Sequence, residues 1–328
     1  MIDDSLPLRD AAKQFGIKVD RLRRAAWDGR LNARLVGTQW FVTPAEVTRF
    51  LGDNRRGREA ARDRSDPDVG VRIIAVAVPK GGTGKTTTTI NLGAALAELG
   101  QRVLIVDFDP QGNLTQSLGL QPSELEHNVY SALKYYLATY QSQLELAIHP
   151  VAPNLDLAPT SARLNLANDE LNIAMQRELV LQHLLQPLHG RYDIILIDTL
   201  PYLGVLVVNA LVAAHEVLIP LQAEYLSTES VALIVDQVQL MRRSGLNPRL
   251  SITGIVLTMV DGRTNISRDS IEYLRRHFGD QVTIFDTMIK RSVRFPESQS
   301  AHQTIIHYDP ASDGANAYRA LANEVLNG

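Results

Sequence analysis

The chain of 328 residues contains no cysteine. Disulfides, iron–sulfur clusters and zinc sites with thiolate ligands are therefore excluded, and the composition fits a reducing compartment. No apolar run approaches the roughly 18 residues of a membrane span, and residues 1–5 are acidic where a signal peptide would be basic. The net charge of −3 gives no overall attraction to nucleic acid, so such a role would need local basic patches.

The composition is otherwise that of a soluble globular protein, with 45% hydrophobic and 21% charged residues. The pattern predicts three segments: a small domain over 1–52, a charged linker over 53–70 and a large domain over 71–328. Residues 53–69 hold five Arg, four Asp and one Glu, with too few large apolar residues to bury a core. We therefore place the domain boundary there.

The first segment predicts a small DNA-binding domain. The predicted elements follow in the order of a winged helix-turn-helix. They are an apolar helical pattern over residues 6–15, a turn, a helix over Val19–Asp28, a hairpin over Arg34–Val42 and a third helix capped by Thr43. Glu46 is expected to close a capping box with Thr43. The segment resembles domains of the MerR and excisionase type in Asp10-Ala11-Ala12, Trp27-x-Gly29-Arg30-Leu31 and Gly37-x-x-Trp40-x-Val42.

The second helix of this segment is the candidate recognition helix. It carries Arg21, Arg23 and Arg24, and residues 1–52 hold nine Lys or Arg against six Asp or Glu. These arginines are predicted to contact phosphates or bases. The alternative is a helical cap whose arginines are only solvated.

One stretch carries the strongest chemical signal: Val78-Pro79-Lys80-Gly81-Gly82-Thr83-Gly84-Lys85-Thr86-Thr87. A β-branched run precedes it and a helix-forming run over 86–99 follows. Glycines in such a loop let backbone N–H groups converge on phosphate oxygens, in front of the positive end of the next helix. We predict a nucleotide-phosphate site over residues 80–87, where Lys85 reaches the β- and γ-phosphates and the Thr86 hydroxyl binds Mg²⁺.

Two acidic motifs follow apolar runs further along the chain. Asp107 and Asp109 come after Val103–Val106, and Asp198 comes after Ile194–Ile197. Ligands of open α/β sheets bind at the carboxyl ends of the strands, so these carboxylates are expected beside the phosphate loop. Asp198 is typical of a Walker B carboxylate. Asp109 could orient an attacking water, or it could simply cap a turn.

Strands and helices alternate from residue 71 onward. Several runs are continuously apolar, which is typical of strands buried on both faces of a mainly parallel sheet. The predicted strands are Val71–Val78, Arg102–Val106, Leu155–Ala158, Asp193–Ile197, Glu216–Pro220, Ile252–Thr258 and Val282–Phe285. The predicted helices include Ser161–Leu185, Ser227–Ser244, Ser267–Phe278 and Ala315–Leu326. A doubly wound α/β fold follows.

The second domain resembles the ParA/MinD group of deviant Walker A ATPases, and within it the ParA partition branch. The resemblance covers residues 71–328. It rests on Lys80-Gly-Gly-Thr-Gly-Lys-Thr-Thr87, Asp107-Phe-Asp-Pro-Gln-Gly-Asn113, Tyr192-Asp-Ile-Ile-Leu-Ile-Asp198, Pro220-Leu-Gln-Ala-Glu224, Asp261-Gly-Arg-Thr-Asn265 and Tyr308-Asp-Pro. The chain departs from the family at Leu200-Pro201, where two prolines are usual, and at Lys290, which replaces a proline in the loop expected beside adenine.

The resemblance implies ATP and Mg²⁺ as cofactors and gives roles to the motif residues. Lys80 is the signature lysine that reaches phosphates held by the partner in an ATP-sandwich dimer, which makes dimerisation depend on ATP. The implied catalytic residues are Lys80, Lys85 and Asp109. The implied magnesium ligands, some acting through water, are Thr86, Asp107 and Asp198.

Family members also bind DNA non-specifically as ATP dimers, through basic residues of the C-terminal part. The candidates for this role here are Arg242, Arg243, Arg263, Arg275, Arg276, Arg291 and Arg294, with Lys290 beside them. Binding to phosphates should weaken steeply with salt. Some of these side chains are expected to be ordinary solvated charges.

The leading hypothesis is a DNA-partition ATPase of a plasmid or chromosome. It would form an ATP-dependent homodimer, bind the nucleoid in the cytoplasm, and be released when a ParB-like partner stimulates hydrolysis, with added site-specific DNA binding by the first domain. Two alternatives are a transcriptional regulator under ATP control and a ParA-like ATPase that positions a protein cargo. A membrane cycle of the MinD kind is not expected, because the C-terminal helix lacks a bulky apolar face opposite a basic one.

Overall fold

The computed structural model describes residues 5–15, 17, 19–27, 31–36, 39–50, 70–222, 228–261, 265–279 and 282–327. The predicted linker, apart from Gly70, and the candidate Arg263 lie outside these ranges. In the described ranges no helix combines the length and apolar character needed to cross a membrane.

The N-terminal segment contains a small antiparallel sheet and helices around their own core. Its elements are β1 (Leu6–Pro7), α1 (Leu8–Phe15), α2 (Val19–Trp27), β2 (Arg34–Val36), β3 (Gln39–Val42) and α3 (44–50). The strand order is β1-β3-β2. Leu8, Leu22, Leu31 and Val47 are buried in one apolar cluster. The antiparallel strand pair and the helices agree with the prediction, except that Asp28 and the turn at residues 37–38 lie outside the described ranges, and the winged helix-turn-helix stays a prediction. Strand β1 was not predicted, because two residues carry no periodicity.

The predicted capping box at α3 is half formed. Thr43 Oγ1 accepts a hydrogen bond from the Glu46 N–H at 3.3 Å, as a capping residue does. The Glu46 carboxylate does not return the bond to Thr43. It accepts instead from the Asn32 N–H at 2.8 Å and from Arg49, because the chain before the hairpin passes within its reach.

The larger sheet contains eight strands among the described residues, in the order β11-β10-β9-β4-β8-β5-β7-β6. They are β4 (Arg72–Val76), β5 (Val103–Asp107), β6 (His149–Ala152), β7 (Leu155–Ala158), β8 (Ile194–Asp198), β9 (Glu216–Gln222), β10 (Ser251–Val260) and β11 (Ile284–Lys290). Neighbouring pairs are parallel except β6 with β7. The predicted parallel strands are thus confirmed, with β11 displaced towards the C-terminus. The edge strand β6 was not predicted.

Helices cover both faces of this sheet, as a doubly wound fold requires. They are α4 (Lys85–Glu98), α5 (Asn113–Ser117), α6 (Val129–Thr139), α7 (Ala167–Asn172), α8 (Val180–Leu185), α9 (Val205–Ala213), α10 (Thr228–Arg243), α11 (Asn265–Phe278), α12 (Arg294–Ser300), α13 (Ile305–Tyr308) and α14 (Asp313–Asn327). Alternate residues of one strand enter separate apolar clusters: Ile73 and Ala75 on one side, Ile74 and Val76 on the other. Burial on both faces explains the unbroken apolar runs.

The predicted helix over Ser161–Leu185 is wrong. A 3₁₀ turn (Ala162–Leu166), α7 and α8 occupy this stretch, and residues 173–179 form a turn between the two helices. Gln176 has φ of 53°, in the left-handed region, which a continuous right-handed helix does not allow. The buried Asn209 fixes the turn: its side chain accepts from the Leu181 N–H at 3.1 Å and donates to the Arg177 carbonyl at 2.8 Å.

The two ends of this domain are joined at the amino-terminal edge of the sheet. The Arg72 guanidinium, on β4, donates to both carboxylate oxygens of Glu216 on β9, at 2.6 and 2.8 Å. It also donates to the Val325 carbonyl in the last turn of α14. The first strand of the sheet therefore holds the last helix.

Candidate functional site

The phosphate loop follows the central strand β4 and leads into α4. Gly82 and Gly84 have φ of 72° and 83°, a conformation that a side chain would strain, and Gly84 is the residue that caps α4. The Thr258 hydroxyl donates to the Thr83 carbonyl at 2.8 Å and so holds the loop against the end of β10. Gly81 and Gly82 are exposed, which leaves their backbone open to a ligand.

The two lysines of the loop lie in different environments. The Lys85 side chain is only 7% exposed, and its Nζ donates to the Lys80 carbonyl at 2.7 Å. Burial lowers the pKa of Lys85, and the nearby carboxylates of Asp198 and Asp109 oppose that shift. Lys80 itself is half-buried at the rim of the loop. One lysine thus points into the site while the other lies at its mouth.

Asp198 ends β8 beside the loop and is fully buried. Its Oδ2 accepts from the Thr86 hydroxyl at 2.7 Å, and its Oδ1 accepts from the Thr89 hydroxyl at 3.3 Å. Burial raises the pKa of Asp198, and the carboxylate of Asp107, opposite it on β5, raises it further. Thr86 and Asp198, which are both predicted to bind Mg²⁺, therefore lie within hydrogen-bond distance of each other, and their metal role stays a prediction.

Asp107 lies beside Asp198, but its oxygens are already engaged. Oδ2 accepts from both the N–H and the hydroxyl of Thr115, at 2.9 and 2.6 Å, and Oδ1 accepts from the Asp109 N–H at 3.3 Å. Burial raises the pKa of this carboxyl too, against the hydrogen bonds from Thr115. The Thr115 hydroxyl also accepts from the Thr160 N–H at 3.0 Å. Asp107 therefore organises the loop that follows β5, and its predicted magnesium role stays a prediction.

Asp109 lies in the turn after β5 and is 8% exposed. Its Oδ1 accepts from the Gln111 N–H at 2.9 Å, as in an Asx turn. This geometry matches the turn-capping alternative and leaves the second carboxylate oxygen without a hydrogen bond among those found in the described residues. The predicted role in orienting water stays a prediction.

The residues of this edge fit a nucleotide phosphate with Mg²⁺. Thr83 Oγ1, in the loop, is buried and has no hydrogen-bond partner in the described part of the chain. The exposed backbone of Gly81 and Gly82 and the Lys85 ammonium would hold phosphate oxygens. Thr86 and Asp198 would hold the metal. No group of three or more His, Cys, Asp or Glu placed to hold a metal occurs among the described residues, so phosphate and water oxygens would supply the remaining ligands.

Three supporting residues were not predicted from the sequence. Thr258 braces the loop, Thr89 binds Asp198 one turn after Thr86, and the Gln299 side chain donates to the Thr87 hydroxyl at 3.2 Å from α12. The spacing of Thr86 and Thr89 on α4 would have indicated a shared polar face. Nothing in the sequence pattern places Gln299 there.

The structure separates the predicted DNA-binding arginines into two groups. Arg242 and Arg243 end α10, and Arg275 and Arg276 end α11, so these four lie at the amino-terminal edge of the sheet. Arg291 and Arg294 follow β11, at the opposite edge with the phosphate loop.

Several of these side chains already have partners. Arg242 donates to the Leu250 carbonyl, Arg276 pairs with Glu272, and Arg294 pairs with Glu297 and Asp309. In the N-terminal segment Arg23 is half-buried on α2, while the side chains of Arg21 and Arg24 lie outside the described part. DNA contact by any of them stays a prediction.

Comparison with known proteins agrees with this geometry. The family described as AAA domain matches residues 71–252. The chain is 42% identical to sporulation initiation inhibitor protein Soj of Bacillus subtilis over 254 residues, 77% of this chain and 98% of the relative. It is 45% identical to chromosome-partitioning ATPase Soj of Thermus thermophilus over 256 residues, 78% and 96% of the two chains.

A solved structure from Mycobacterium smegmatis has the same fold. It is described as cobyrinic acid a,c-diamide synthase with bound ADP and magnesium, is 35% identical and superposes with a TM-score of 0.68, over 78% of this chain and 94% of that one. The family match spans the phosphate loop, Asp107 and Asp198. The chain belongs to the ParA/MinD group of P-loop ATPases.

Proposed function

We propose that this protein is a DNA-partition ATPase that converts ATP binding into dimerisation and DNA retention. The observation that carries the proposal is the pair of lysines on one phosphate loop, Lys85 buried in the site and Lys80 at its rim. Identity above 40% to two Soj proteins supports it. ATP and Mg²⁺ are its cofactors.

The residues of the site have separate roles in nucleotide binding. Lys85 and the exposed backbone of Gly81 and Gly82 bind phosphate oxygens, and Thr86 with Asp198 holds the metal. Lys80 extends from the rim to phosphates bound by a second copy, so a stable dimer requires nucleotide in both sites. The nucleotide supplies the phosphoryl group and the charge that both lysines recognise. Asp109 orients water, and a ParB-like partner accelerates hydrolysis and releases the protein from DNA.

The first experiment measures ATP-dependent DNA retention on immobilised duplex. We expect retention with ATP and Mg²⁺, loss with ADP, and loss in Lys85→Ala because nucleotide no longer binds. Lys80→Ala should still bind nucleotide as a monomer but fail to dimerise or to stay on DNA. Retention that ignores nucleotide, or an ATP response intact in Lys85→Ala, would contradict the proposal.

The N-terminal segment adds sequence-specific DNA binding in this proposal. The support is the basic helix α2 beside a three-stranded sheet, with Arg21, Arg23 and Arg24 as contacts. Footprinting on the region upstream of its own gene tests it. Removal of residues 1–52 should abolish a specific footprint and leave ATP-dependent general retention intact. A footprint that survives the removal would assign specificity to the other domain.

The non-specific DNA surface is proposed at the amino-terminal edge of the sheet. Arg243 and Arg275 are exposed there, at the ends of neighbouring helices. Their replacement by Ala should weaken retention and lower the slope of log affinity against log salt by about one for each phosphate that is no longer neutralised. Arg294→Ala, at the opposite edge, is the matched control. An equal loss of retention in the control would indicate that DNA retention depends on the overall positive charge and not on the amino-terminal edge of the sheet.

A further inference from the structure

A groove separate from the phosphate loop lies beside the turn that carries Asp109. Its volume is about 1110 Å³. It is lined by residues of the segment after β5, by the loop before α6 together with one face of α6, and by the segment over 161–166, which includes the 3₁₀ turn after β7. Residues 80–87 lie outside its lining, so it is distinct from the nucleotide site. We name it the α6 groove.

Helix α6 presents one of its sides to the groove. The lining residues of the helix recur at the spacing of a single helix face: Tyr130, Ser131, Lys134, Tyr135 and Ala138. Ala132 and Leu133, on the other side, are buried in the apolar core. The lining face rises about 12 Å along the helix axis, which is the length of about four residues of extended chain. The groove therefore has the length of a short peptide segment.

The charges that line the α6 groove are unbalanced. Lys134 and Arg163 are exposed, and neither forms an ion pair with any residue that the structure describes. Among the described lining residues Glu126 is the one carboxylate. The nearby Glu170 accepts from the Tyr130 hydroxyl at 2.9 Å and is not paired with Arg163. Two cations against one carboxylate favour an anionic occupant.

The uncharged groups of the groove suit a peptide. Gln111, Gln116 and Gln121 line it with exposed side chains, and each side-chain amide can both donate and accept. Pro122 and Leu125 add apolar surface. A small inorganic anion would leave these groups unused. An extended peptide offers N–H and C=O groups to the amides and side chains to the apolar surface.

The α6 groove shares a wall with the turn that carries Asp109. Pro110 and Gln111 line it, and the Gln111 N–H donates to Asp109 Oδ1 at 2.9 Å. An occupant of the groove therefore contacts the residue that holds the Asp109 carboxylate in place.

We propose that the α6 groove binds an acidic segment of a partner protein in extended conformation. Carboxylates of the segment pair with Lys134 and Arg163, and its backbone forms hydrogen bonds with the glutamine side chains. The groove is complete within one chain and without nucleotide. The proposal therefore does not depend on dimerisation or on DNA binding.

Titration with a short peptide tests the proposal. Fluorescein-labelled tetraglutamate is titrated with the nucleotide-free full chain at low salt, and fluorescence anisotropy gives the dissociation constant. We expect a dissociation constant below about 1 mM, and binding about tenfold weaker for labelled tetraglutamine, which lacks the charge. Equal binding of the two peptides, or no binding of tetraglutamate at about 1 mM, would overturn the proposal.

Charge variants locate the bound peptide. Lys134→Ala and Arg163→Ala should each weaken tetraglutamate binding about fivefold, the upper range for an exposed ion pair. Glu126→Gln should strengthen it by a similar factor, because it removes the carboxylate from the lining. Arg191→Ala, which removes an exposed guanidinium outside the groove, is the matched control. An equal loss in the control would mean adsorption to positive charge in general and would overturn the proposal.

A steric variant separates the groove from the charges alone. Ala138→Trp fills part of the groove without a change of charge and should weaken tetraglutamate binding about tenfold. Ala232→Trp, at an exposed position on α10, is the matched control and should bind as the unmodified chain does. Thermal unfolding curves like that of the unmodified protein confirm that the variants fold. Unchanged affinity in Ala138→Trp would place the peptide elsewhere and contradict the proposal.

Discussion

Replacing Asp198 by Asn should stabilise the nucleotide-free protein at alkaline pH while removing its function. Asp198 is buried beside Asp107, and burial together with that neighbour raises its pKa to about 8. The Asn side chain can keep both hydrogen bonds. The Thr89 hydroxyl already donates to the Lys85 carbonyl at 3.0 Å, so it can accept from the amide nitrogen, while Thr86 donates to the amide oxygen.

The direction in which pH changes the stability follows from the direction of the Asp198 pKa shift. The folded-state pKa of Asp198 lies above the unfolded value, so its contribution to stability is fully present below about pH 4 and is lost as pH rises through about 8. The difference between a pKa near 4 in the unfolded chain and about 8 in the folded protein corresponds to roughly 5 kcal/mol. This value is an upper bound on what the substitution gains. Asp107 also relieves part of the repulsion between the two carboxylates by taking up a proton, and Asn removes the negative charge that lies near the Lys85 ammonium. We expect the Asp198→Asn variant to exceed the unmodified protein in free energy of unfolding by about 1–3 kcal/mol more at pH 8 than at pH 6.

Urea unfolding in EDTA at the two pH values measures this difference as a shift of midpoint at constant slope. Asp193→Asn is the matched control. The Arg102 guanidinium lowers the pKa of Asp193, so the carboxyl is ionised at both pH values and the small loss of stability should be the same at each. A lower midpoint for Asp198→Asn at pH 8, or an unchanged pH dependence, would refute the reasoning. With Mg²⁺ and ATP the variant should gain little stability, whereas the unmodified protein should gain much.

Glycine positions give further predictions. Gly84→Ala should lose about 1–2 kcal/mol and weaken nucleotide binding, because Ala would have to adopt the left-handed φ of 83°; thermal unfolding and titration calorimetry measure both. Gly254→Ala should cost about 1–3 kcal/mol, since its Cβ would lie 2.8 Å from the Phe285 ring and 2.9 Å from a backbone carbonyl oxygen. A Cβ at Gly93 would lie 2.7 Å from Cδ1 and 3.1 Å from Cγ1 of the buried Ile105 and 3.5 Å from Leu155, so Gly93→Ala requires the Ile105 side chain to shift, and the helix propensity of Ala should offset that cost to within about 1 kcal/mol.

The parallel sheet was predictable because buried strands leave unbroken apolar runs. Ile194–Asp198 and Leu155–Ala158 were placed within a residue of their observed bounds. The antiparallel strand β6 was not, because an edge strand with Pro150 has neither an apolar run nor alternation. The broken helix over 161–185 was missed for a different reason: Asn209, distant in sequence, supplies the hydrogen bonds that stabilise the turn at 173–179.

The candidate site was predictable where chemistry is local in sequence. The loop over 80–87 and the aspartates at strand ends are identified by residue type and position alone. The residues that support this site come from elsewhere in the chain. Thr115, which binds Asp107, is eight residues away from it in sequence, and Thr258, which binds the Thr83 carbonyl, is 175 residues away. Only the fold brings such pairs together. The same holds for the predicted DNA-binding arginines of the large domain. In the sequence they form one group, but helices and strands run in opposite directions, so the fold places them at two opposite edges of the sheet.

The link between Arg72 and the last turn of α14 affects how the protein is made. On the ribosome, β4 emerges early and its partners Glu216 and Val325 much later, so at roughly 5–20 residues per second the first strand waits on the order of tens of seconds for its final contacts. During that interval α4 lacks α14, which shares its apolar cluster in the folded domain, and the uncovered apolar face is a substrate for chaperones. Emergence of α14 is therefore the step that completes the packing around β4 and α4.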